Sequence, residues 1–221
     1  MTDRTGTAEP NRLERRKART RAALLTAAQE FIASGRSNAP ILEITQAADV
    51  GMGSFYNHFQ SREDLLRAAV EEALEMHGAV LDTVTEGIED PAEVFAQSFR
   101  LTGRMHRRIP TLSKVLLNNG MILIGSDKGL APRARRDIEA AAHAGRFRTS
   151  DPELSMTIVA GAALCLGQLL HDHPDRDDAA ATDQVTEDLL RMFGLSADEA
   201  RDICSRPLPS LDDVLDRGDA A

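Results

Sequence analysis

The 221 residues are enough for one compact domain or for a small domain joined to a larger one, and a hydrophobic content of 42% excludes a chain disordered throughout. Residues 1–62 hold nine basic and six acidic side chains, whereas the remainder holds 17 basic and 29 acidic, so a polyanionic partner would contact only the first third. The cysteines, Cys165 and Cys204, are too far apart for a disulfide framework or a CxxC zinc site. This cysteine usage predicts a protein of the reducing cytoplasm, and with no run of 18 apolar residues no membrane span is expected.

Alternating runs of β-branched residues are missing, so the sequence predicts an all-α protein. Ser61 has the spacing of a capping box, and Asp90-Pro91 and Asp151-Pro152 each join an N-cap to a proline that suits the first helical turn. Cys165, in an apolar run, is expected to be a small core residue. The predicted helices are about 11–33, 40–48, 52–59, 62–85, 91–109, a short one after Pro110, 130–144, 152–171, 179–193 and a short one after Ser196, with 120–129 as an apolar loop.

The stretch DVGMGSFYNHF, residues 49–59, could belong to any of three kinds of motif. A dinucleotide-binding fingerprint requires a third glycine, where Tyr56 stands, and a preceding strand. A nucleophile elbow requires one residue between glycine and serine, but Ser54 directly follows Gly53. A helix-turn-helix meets its requirements, because apolar residues recur where two short helices would lock together across a turn. These residues are Ile44, Ala48, Val50, Phe55 and Phe59.

A helix-turn-helix would leave a polar face free to read DNA. Serine, asparagine and histidine can hydrogen-bond to base edges, a tyrosine hydroxyl suits a phosphate, and glycine allows close backbone approach. The upstream run RLERRKARTR, residues 12–21, carries six basic side chains and one acidic one, which suits the phosphate backbone. The predicted DNA-binding residues are Arg15, Arg16, Arg19, Thr45, Met52, Gly53, Ser54, Tyr56, Asn57, His58 and Arg62. A solvated charged face is the alternative for the run.

The segment from about Arg15 to Leu66 resembles the DNA-binding domain of the TetR family of bacterial transcriptional repressors. The resemblance lies in ILEITQAADVGMGSFYNHFQSREDLL, residues 41–66. Thr45 replaces the usual alanine, Asp49 the turn glycine and Arg62 the usual lysine, so the base preference of other members does not transfer. The matching residues are Ile44, Ala48, Val50, Gly53, Phe55, Tyr56, His58, Phe59, Ser61, Glu63 and Leu65.

This resemblance implies a three-helix DNA-binding domain joined to a larger helical domain that binds a small molecule and dimerises. The expected order is a flexible arm at 1–11, the DNA-binding domain at 12–62, the ligand-binding and dimerisation domain at 63–206 and a loose acidic tail at 207–221. The resemblance also implies a homodimer through helices 152–171 and 179–193 on a near-palindromic DNA operator, released by a small-molecule inducer. The candidate pocket residues, each of which could instead be plain core, are Met76, Phe95, Phe99, Met105, Leu116, Met121 and Leu164.

Two other classes of function remain open on the sequence alone. A helical enzyme or metal-binding protein would need convergent reactive side chains, and no such set has a suitable spacing, so no catalytic residue, metal or cofactor is predicted. His171-Asp172-His173 is better explained by histidine at the end of a helix than by a metal site. A protein that coats DNA without sequence preference would show a steep salt dependence and little discrimination.

Overall fold

In the computed structural model, the described residues are 12–123 and 127–209, with the side chains of 120–123 left aside. This part of the chain is all-α and contains no strand, which confirms the predicted fold class. The arm at 1–11 and the tail from 210 onward lie outside the described residues. The helices are α1 (Arg12–Ala33), α2 (Ile41–Ala47), α3 (Met52–Phe55), α4 (Arg62–Thr85), α5 (Pro91–Arg108), α6 (Pro110–Leu123), α7 (Leu130–His143), α8 (Pro152–Asp172), α9 (Asp178–Met192) and α10 (Ala197–Ser205).

The chain divides into two compact units between Ala69 and Val70, within α4. In the first unit, α2 ends in a Schellman motif that turns the chain toward α3. The backbone N–H of Val50 donates to the carbonyl of Thr45 at 2.9 Å, and that of Asp49 donates to Gln46 at 3.1 Å. Asp49 occupies the left-handed position of the motif, with a φ of 53°.

The helix α3 is shorter than predicted, ending at Phe55 rather than near Phe59. The backbone N–H groups of Asn57 and His58 bond three residues back, to Ser54 at 3.2 Å and Phe55 at 2.9 Å, so the chain tightens into turns after one helical turn. Phe55 and Phe59 are nevertheless both buried, with ring centroids 6.0 Å apart. The predicted inward face therefore forms without a continuous helix.

We expect Asp49→Gly to stabilise the first unit by about 0.5–1 kcal/mol, because a side chain is disfavoured in the left-handed region. The gain is partly offset because glycine makes the unfolded chain more flexible. Urea unfolding followed by circular dichroism would measure it. Asp49→Asn separates charge from conformation, since asparagine also tolerates this region. A less stable glycine variant would mean that the Asp49 side chain itself holds the turn.

In the second unit, the structure confirms that Asp90 and Asp151 each cap the start of a helix, as predicted. The Asp90 carboxylate accepts from the N–H of Ala92 at 2.9 Å, and that of Asp151 accepts from the N–H of Glu153 at 3.0 Å. The helix α5 contacts α6, α7, α8, α9 and α10 and is the centre of this unit. The predicted loop at 120–129 is partly wrong, because α6 continues through Gly120 to Leu123; an internal glycine weakens a helix by only about 1 kcal/mol.

Three phenylalanines form the aromatic centre of this core. The rings of Phe147 and Phe193 stack with centroids 4.3 Å apart, and Phe95 meets both edge-on at 5.3 and 5.5 Å.

Close approach between helices depends on two glycines. A methyl group at Gly103 would lie 2.5 Å from Oγ1 of Thr182 on α9, and one at Gly167 on α8 would lie 2.6 Å from Nε2 of His106 on α5.

The helix α8 has an exposed apolar stripe. Leu154, Ile158 and Leu169 are exposed, and at 100° per residue they fall within about 60° of one another with Cys165. The expectation that Cys165 is a core residue is therefore wrong, because its apolar neighbours belong to an uncovered face as well as to the core. By length and composition alone α8 could cross a membrane, which is weak evidence from a single helix, and its packing against α5, α6, α7 and α9 buries only part of its apolar surface.

Candidate nucleic-acid interface and effector cavity

The residues around α3 form an exposed polar face on the first unit. Tyr56 is 60% exposed and stacks edge-on against buried Phe55, with ring centroids 5.1 Å apart. The buried ring fixes the base of this face, while the tyrosine hydroxyl extends from it. Met52, Gly53 and Asn57 are also exposed, and Ser54 and His58 are partly buried. All six predicted reading residues therefore lie together on one segment.

Two cations of α1, Lys17 and Arg21, lie near His58 at the end of this segment. Burial lowers the pKa of His58, and the charges of Lys17 and Arg21 lower it further. The imidazole is therefore neutral at pH 7 and can both donate and accept a hydrogen bond. The guanidinium of Arg21 also lies over the ring of Phe59, 5.0 Å from its centroid. The predicted phosphate-binding residues Arg15, Arg16 and Arg19 are exposed on α1.

The other two predicted DNA contacts, Thr45 and Arg62, already bond to other parts of the protein. Thr45 is only 1% exposed and its hydroxyl donates to the carbonyl of Leu42 at 3.0 Å, so its prediction as a DNA contact is corrected. It takes the inward position that alanine usually occupies. Arg62 is half-buried; it donates to the carbonyl of Asn38 at 2.9 Å and pairs with Glu63 at 2.7 Å. A phosphate would have to replace Glu63 as the partner of Arg62.

The second unit contains a cavity of about 110 Å³ bounded by α4, α5, α6, α7 and α8. Most of its wall is apolar, with Phe95 and Phe99 roughly parallel at 6.3 Å between centroids. The uncharged polar groups of the wall are Ser98 and Thr102. The apolar wall comprises Leu74, Leu81, Phe95, Phe99, Leu116, Leu130, Ala131, Ala134, Met156, Val159, Ala160, Ala163 and Leu164.

Four of the seven predicted pocket residues line this cavity: Phe95, Phe99, Leu116 and Leu164. Met76 does not, and it is 60% exposed because it lies 200° around α4 from the cavity-lining Leu74. Met105 is fully buried in the core away from the lining. The side chain of Met121 lies outside the described residues.

One end of the cavity is charged. Arg133 pairs with Asp82 through Nε at 2.7 Å, and Arg136 reaches the other oxygen of Asp82 at 2.9 Å. Arg136 also pairs with Asp137 at 2.9 Å. Burial acts to raise the pKa of Asp82, but hydrogen bonds from the two arginines outweigh it and hold that pKa below its usual range. Burial raises the pKa of Asp137, which is only 5% exposed.

Residues outside the cavity also hold the Arg133 side chain in place. Its Nη2 donates to Glu75 at 2.7 Å, and its guanidinium lies against Gly78, where a methyl group would come within 2.7 Å of Cζ. An open groove outside the cavity shares Asp82, Arg133 and Arg136 with the charged end. The sequence alone does not predict this charged end, because Asp82 lies about 50 residues before the two arginines and nothing in the spacing joins them.

Two buried polar residues, His106 and Ser113, and the partly buried His171 link α5, α6 and α8. Nδ1 of His106 lies 2.6 Å from the Ser113 hydroxyl, which lies 2.8 Å from Nε2 of His171. Burial lowers the pKa of His106 to about 4, so it is neutral at pH 7. Ser113 is completely buried, so it is inaccessible as a nucleophile. Among the side chains that the structure describes, no three His, Cys, Asp or Glu residues are grouped to hold a metal ion.

Comparison with known proteins covers both units. Residues 23–69 match the model of bacterial regulatory proteins of the TetR family, and residues 90–206 match that of the tetracyclin repressor-like C-terminal domain. The chain belongs to the TetR family. No curated protein matches its sequence.

Solved structures of TetR-family proteins extend the comparison. The structure of RolR in complex with resorcinol is 36% identical, covers 89% of this chain and 98% of its own, and has a TM-score of 0.61. Ligand-free RolR, also 36% identical, covers 86% of this chain and 98% of its own, with a TM-score of 0.70. A TetR-family protein from Rhodococcus RHA1 shares the fold at 21% identity and a TM-score of 0.61, covering 80% of this chain and 98% of its own.

Family membership and the ligand-bound relative establish the class of function. The protein is a ligand-responsive transcriptional repressor of the TetR family. Its family and structural neighbours are regulators rather than enzymes. The polar face around α3 and the cavity of the second unit are thus its candidate DNA-binding and effector sites.

Proposed function

We propose that this repressor is released from its operator by a small uncharged phenol of the resorcinol type, bound in the cavity of the second unit. The observation that carries the proposal is a small apolar cavity with a charged end. RolR, crystallised with resorcinol, supports it through 36% identity over 89% of this chain.

The size of the cavity limits the effector to about one ring. An apolar protein cavity of about 150 Å³ binds benzene, so a space of about 110 Å³ accepts no more than a single six-membered ring. The parallel rings of Phe95 and Phe99 would contact its faces or edges. Fused polycyclic ligands would require the helices to separate.

The charged end supplies partners for hydroxyl groups. A phenolic hydroxyl can donate to the carboxylates of Asp82 or Asp137 and accept from Arg133 or Arg136. Hydrogen bonds to charged groups are stronger than those between neutral groups. These four residues would therefore orient the ring, while the apolar wall supplies most of the buried surface.

On the DNA side, we propose a homodimer that binds a near-palindromic operator. The exposed stripe of α8 and the adjacent α9 would form its interface, as the family resemblance implies. Each subunit would present residues 52–58 to a major groove, with half-sites about 34–36 Å apart. Arg15, Arg16, Arg19 and Arg62 would contact phosphates. A protein that binds such an operator would act in the cytoplasm.

Release requires only that the effector bind more tightly to a state with lower operator affinity. Such coupling typically changes affinity by about 5- to 150-fold. We therefore expect saturating resorcinol to weaken operator binding by a factor in this range, measured by fluorescence anisotropy on DNA from around the protein's own gene.

The variant Ala160→Leu tests the location of the effector, because leucine would fill part of the cavity. It should retain operator binding and lose the response to resorcinol. Met76→Ala, at an exposed position outside the cavity, should respond like the wild type. A full response in Ala160→Leu would place the effector elsewhere, and no response in the wild type would reject this ligand class.

A further inference from the structure

We propose that Asp137 makes this cavity exclude ligands that carry a carboxylate, so that the effector is an uncharged phenol and aromatic acids are rejected. The inference rests on the proposed function and specifies what the same site discriminates against. It follows from how the charges around the cavity are paired.

Each cation along the described cavity wall already has a carboxylate partner. Arg133 pairs with Glu75 and Asp82, and Arg136 pairs with Asp82 and Asp137. Three carboxylates thus surround two guanidinium groups. Lys128, the remaining cation of the wall, pairs with Glu71 at 3.1 Å. An incoming carboxylate would have to displace a resident one to obtain a cationic partner.

Asp137 is the most buried of these charged groups. Its side chain is 7% exposed, against 37% for that of Asp82 and 54% for that of Arg136. Its described hydrogen bond from Nε of Arg136 and its ion-pair contact with Nη2 of Arg136 both end on Oδ1, each at 2.9 Å. Oδ2 therefore remains to accept a hydrogen bond from a ligand. A hydroxyl can donate such a bond, whereas a carboxylate would add a second negative charge beside the first.

The rest of the described wall offers no compensation for an anion. The side chains that α5, α6 and α8 contribute are apolar and uncharged, apart from the hydroxyls of Ser98 and Thr102. Thr102 donates to the carbonyl of Ser98 at 2.9 Å and lies 3.1 Å from Nε2 of His77. Burial lowers the pKa of His77 to about 4, so this imidazole is neutral at pH 7 and carries no charge for a ligand.

The surroundings of Asp137 already disfavour its ionised form. Burial raises the pKa of Asp137, and nearby Asp82 raises it further, although Arg136 acts in the opposite direction. Bringing a ligand carboxylate into the same space adds desolvation of that group to its repulsion by Asp137. Like charges placed together in a binding site weaken binding by about 100-fold or more.

Calorimetric titration of the full chain with three probes would test this inference. Resorcinol reports the proposed ligand class. 3-Hydroxybenzamide and 3-hydroxybenzoate are nearly equal in size and shape, so their affinity ratio isolates the effect of charge. In the wild type we expect the acid to bind about 100-fold or more weakly than the amide.

In Asp137→Asn this ratio should fall to roughly tenfold or less, because the like charge is gone and Arg136 is released toward the ligand. Glu139→Gln makes the same change of charge at an exposed position of α7 and should keep the wild-type ratio. Should the asparagine variant fail to fold, as judged by circular dichroism, Asp137→Ser removes the same charge.

Equal binding of acid and amide by the wild type would overturn the inference. The inference would also be overturned if 3-hydroxybenzoate bound no more tightly to Asp137→Asn than to the wild type, whether or not the amide binds. Failure of the wild type to bind any of the three probes would overturn the proposed function together with the inference. Binding of resorcinol with an unchanged acid-to-amide ratio would overturn the inference alone.

Discussion

Gly167→Ala is expected to lower the free energy of unfolding by about 2 kcal/mol. The added methyl group would lie 2.6 Å from Nε2 of His106 and closer still to its Cε1, so the cost should be at the upper end of the range of about 1–3 kcal/mol for overfilling a packed core. The better helix propensity of alanine offsets about 1 kcal/mol of this. For a chain of this size the melting temperature should fall by roughly 4–8 °C, measured by thermal denaturation.

The loss should be this large because the His106 ring cannot easily move aside. Its Nδ1 lies 2.6 Å from the Ser113 hydroxyl, and Ser113 is itself bonded to His171. A double-mutant cycle with His106→Ala isolates the contact, since the methyl group should do little harm once the ring is removed. An unchanged melting temperature in Gly167→Ala would mean that α5 and α8 separate freely.

Tyr56→Ala is expected to weaken operator binding by about 10- to 100-fold, the range of one good contact of about 1–3 kcal/mol. Tyr56 is 60% exposed, so its removal should leave the fold intact. Anisotropy titrations at moderate salt, with native and scrambled DNA, would measure the change. The variant Tyr56→Phe removes only the hydroxyl, so it separates the contribution of the hydroxyl to operator binding from that of the ring.

Met76→Ala is a matched control for Tyr56→Ala, because Met76 is equally exposed but lies in the second unit. It should bind the operator like the wild type. Retention of full affinity by Tyr56→Ala would remove this side chain from the interface. Equal binding of native and scrambled DNA by the wild type would instead favour a protein that coats DNA.

The helix-turn-helix could be predicted because its signals are local. The spacing of Phe55 and Phe59 and the capping serine at 61 lie within a few residues of what they determine, and the Asp-Pro helix starts of the second unit are local in the same way. Thr45 was misassigned because the sequence shows that a threonine is polar but not that its hydroxyl bonds to its own helix.

The charged end of the cavity could not be predicted because it depends on contacts distant in sequence. Asp82 on α4 meets Arg133 and Arg136 on α7 only when both helices pack around the cavity. The methionines were poor guides for a related reason. Met76 lies on the side of α4 away from the cavity, whereas Met105 lies on the lining face of α5 but beyond the last residue that lines the cavity.

The exposed stripe of α8 bears on how strongly the cellular concentration of this repressor affects repression. If the proposed dimer forms through Leu154, Ile158 and Leu169, operator occupancy depends on self-association as well as on the effector. Where monomers predominate, a roughly twofold change in expression becomes a roughly fourfold change in dimer. Gene dosage would then tune repression more steeply than a monomeric repressor allows.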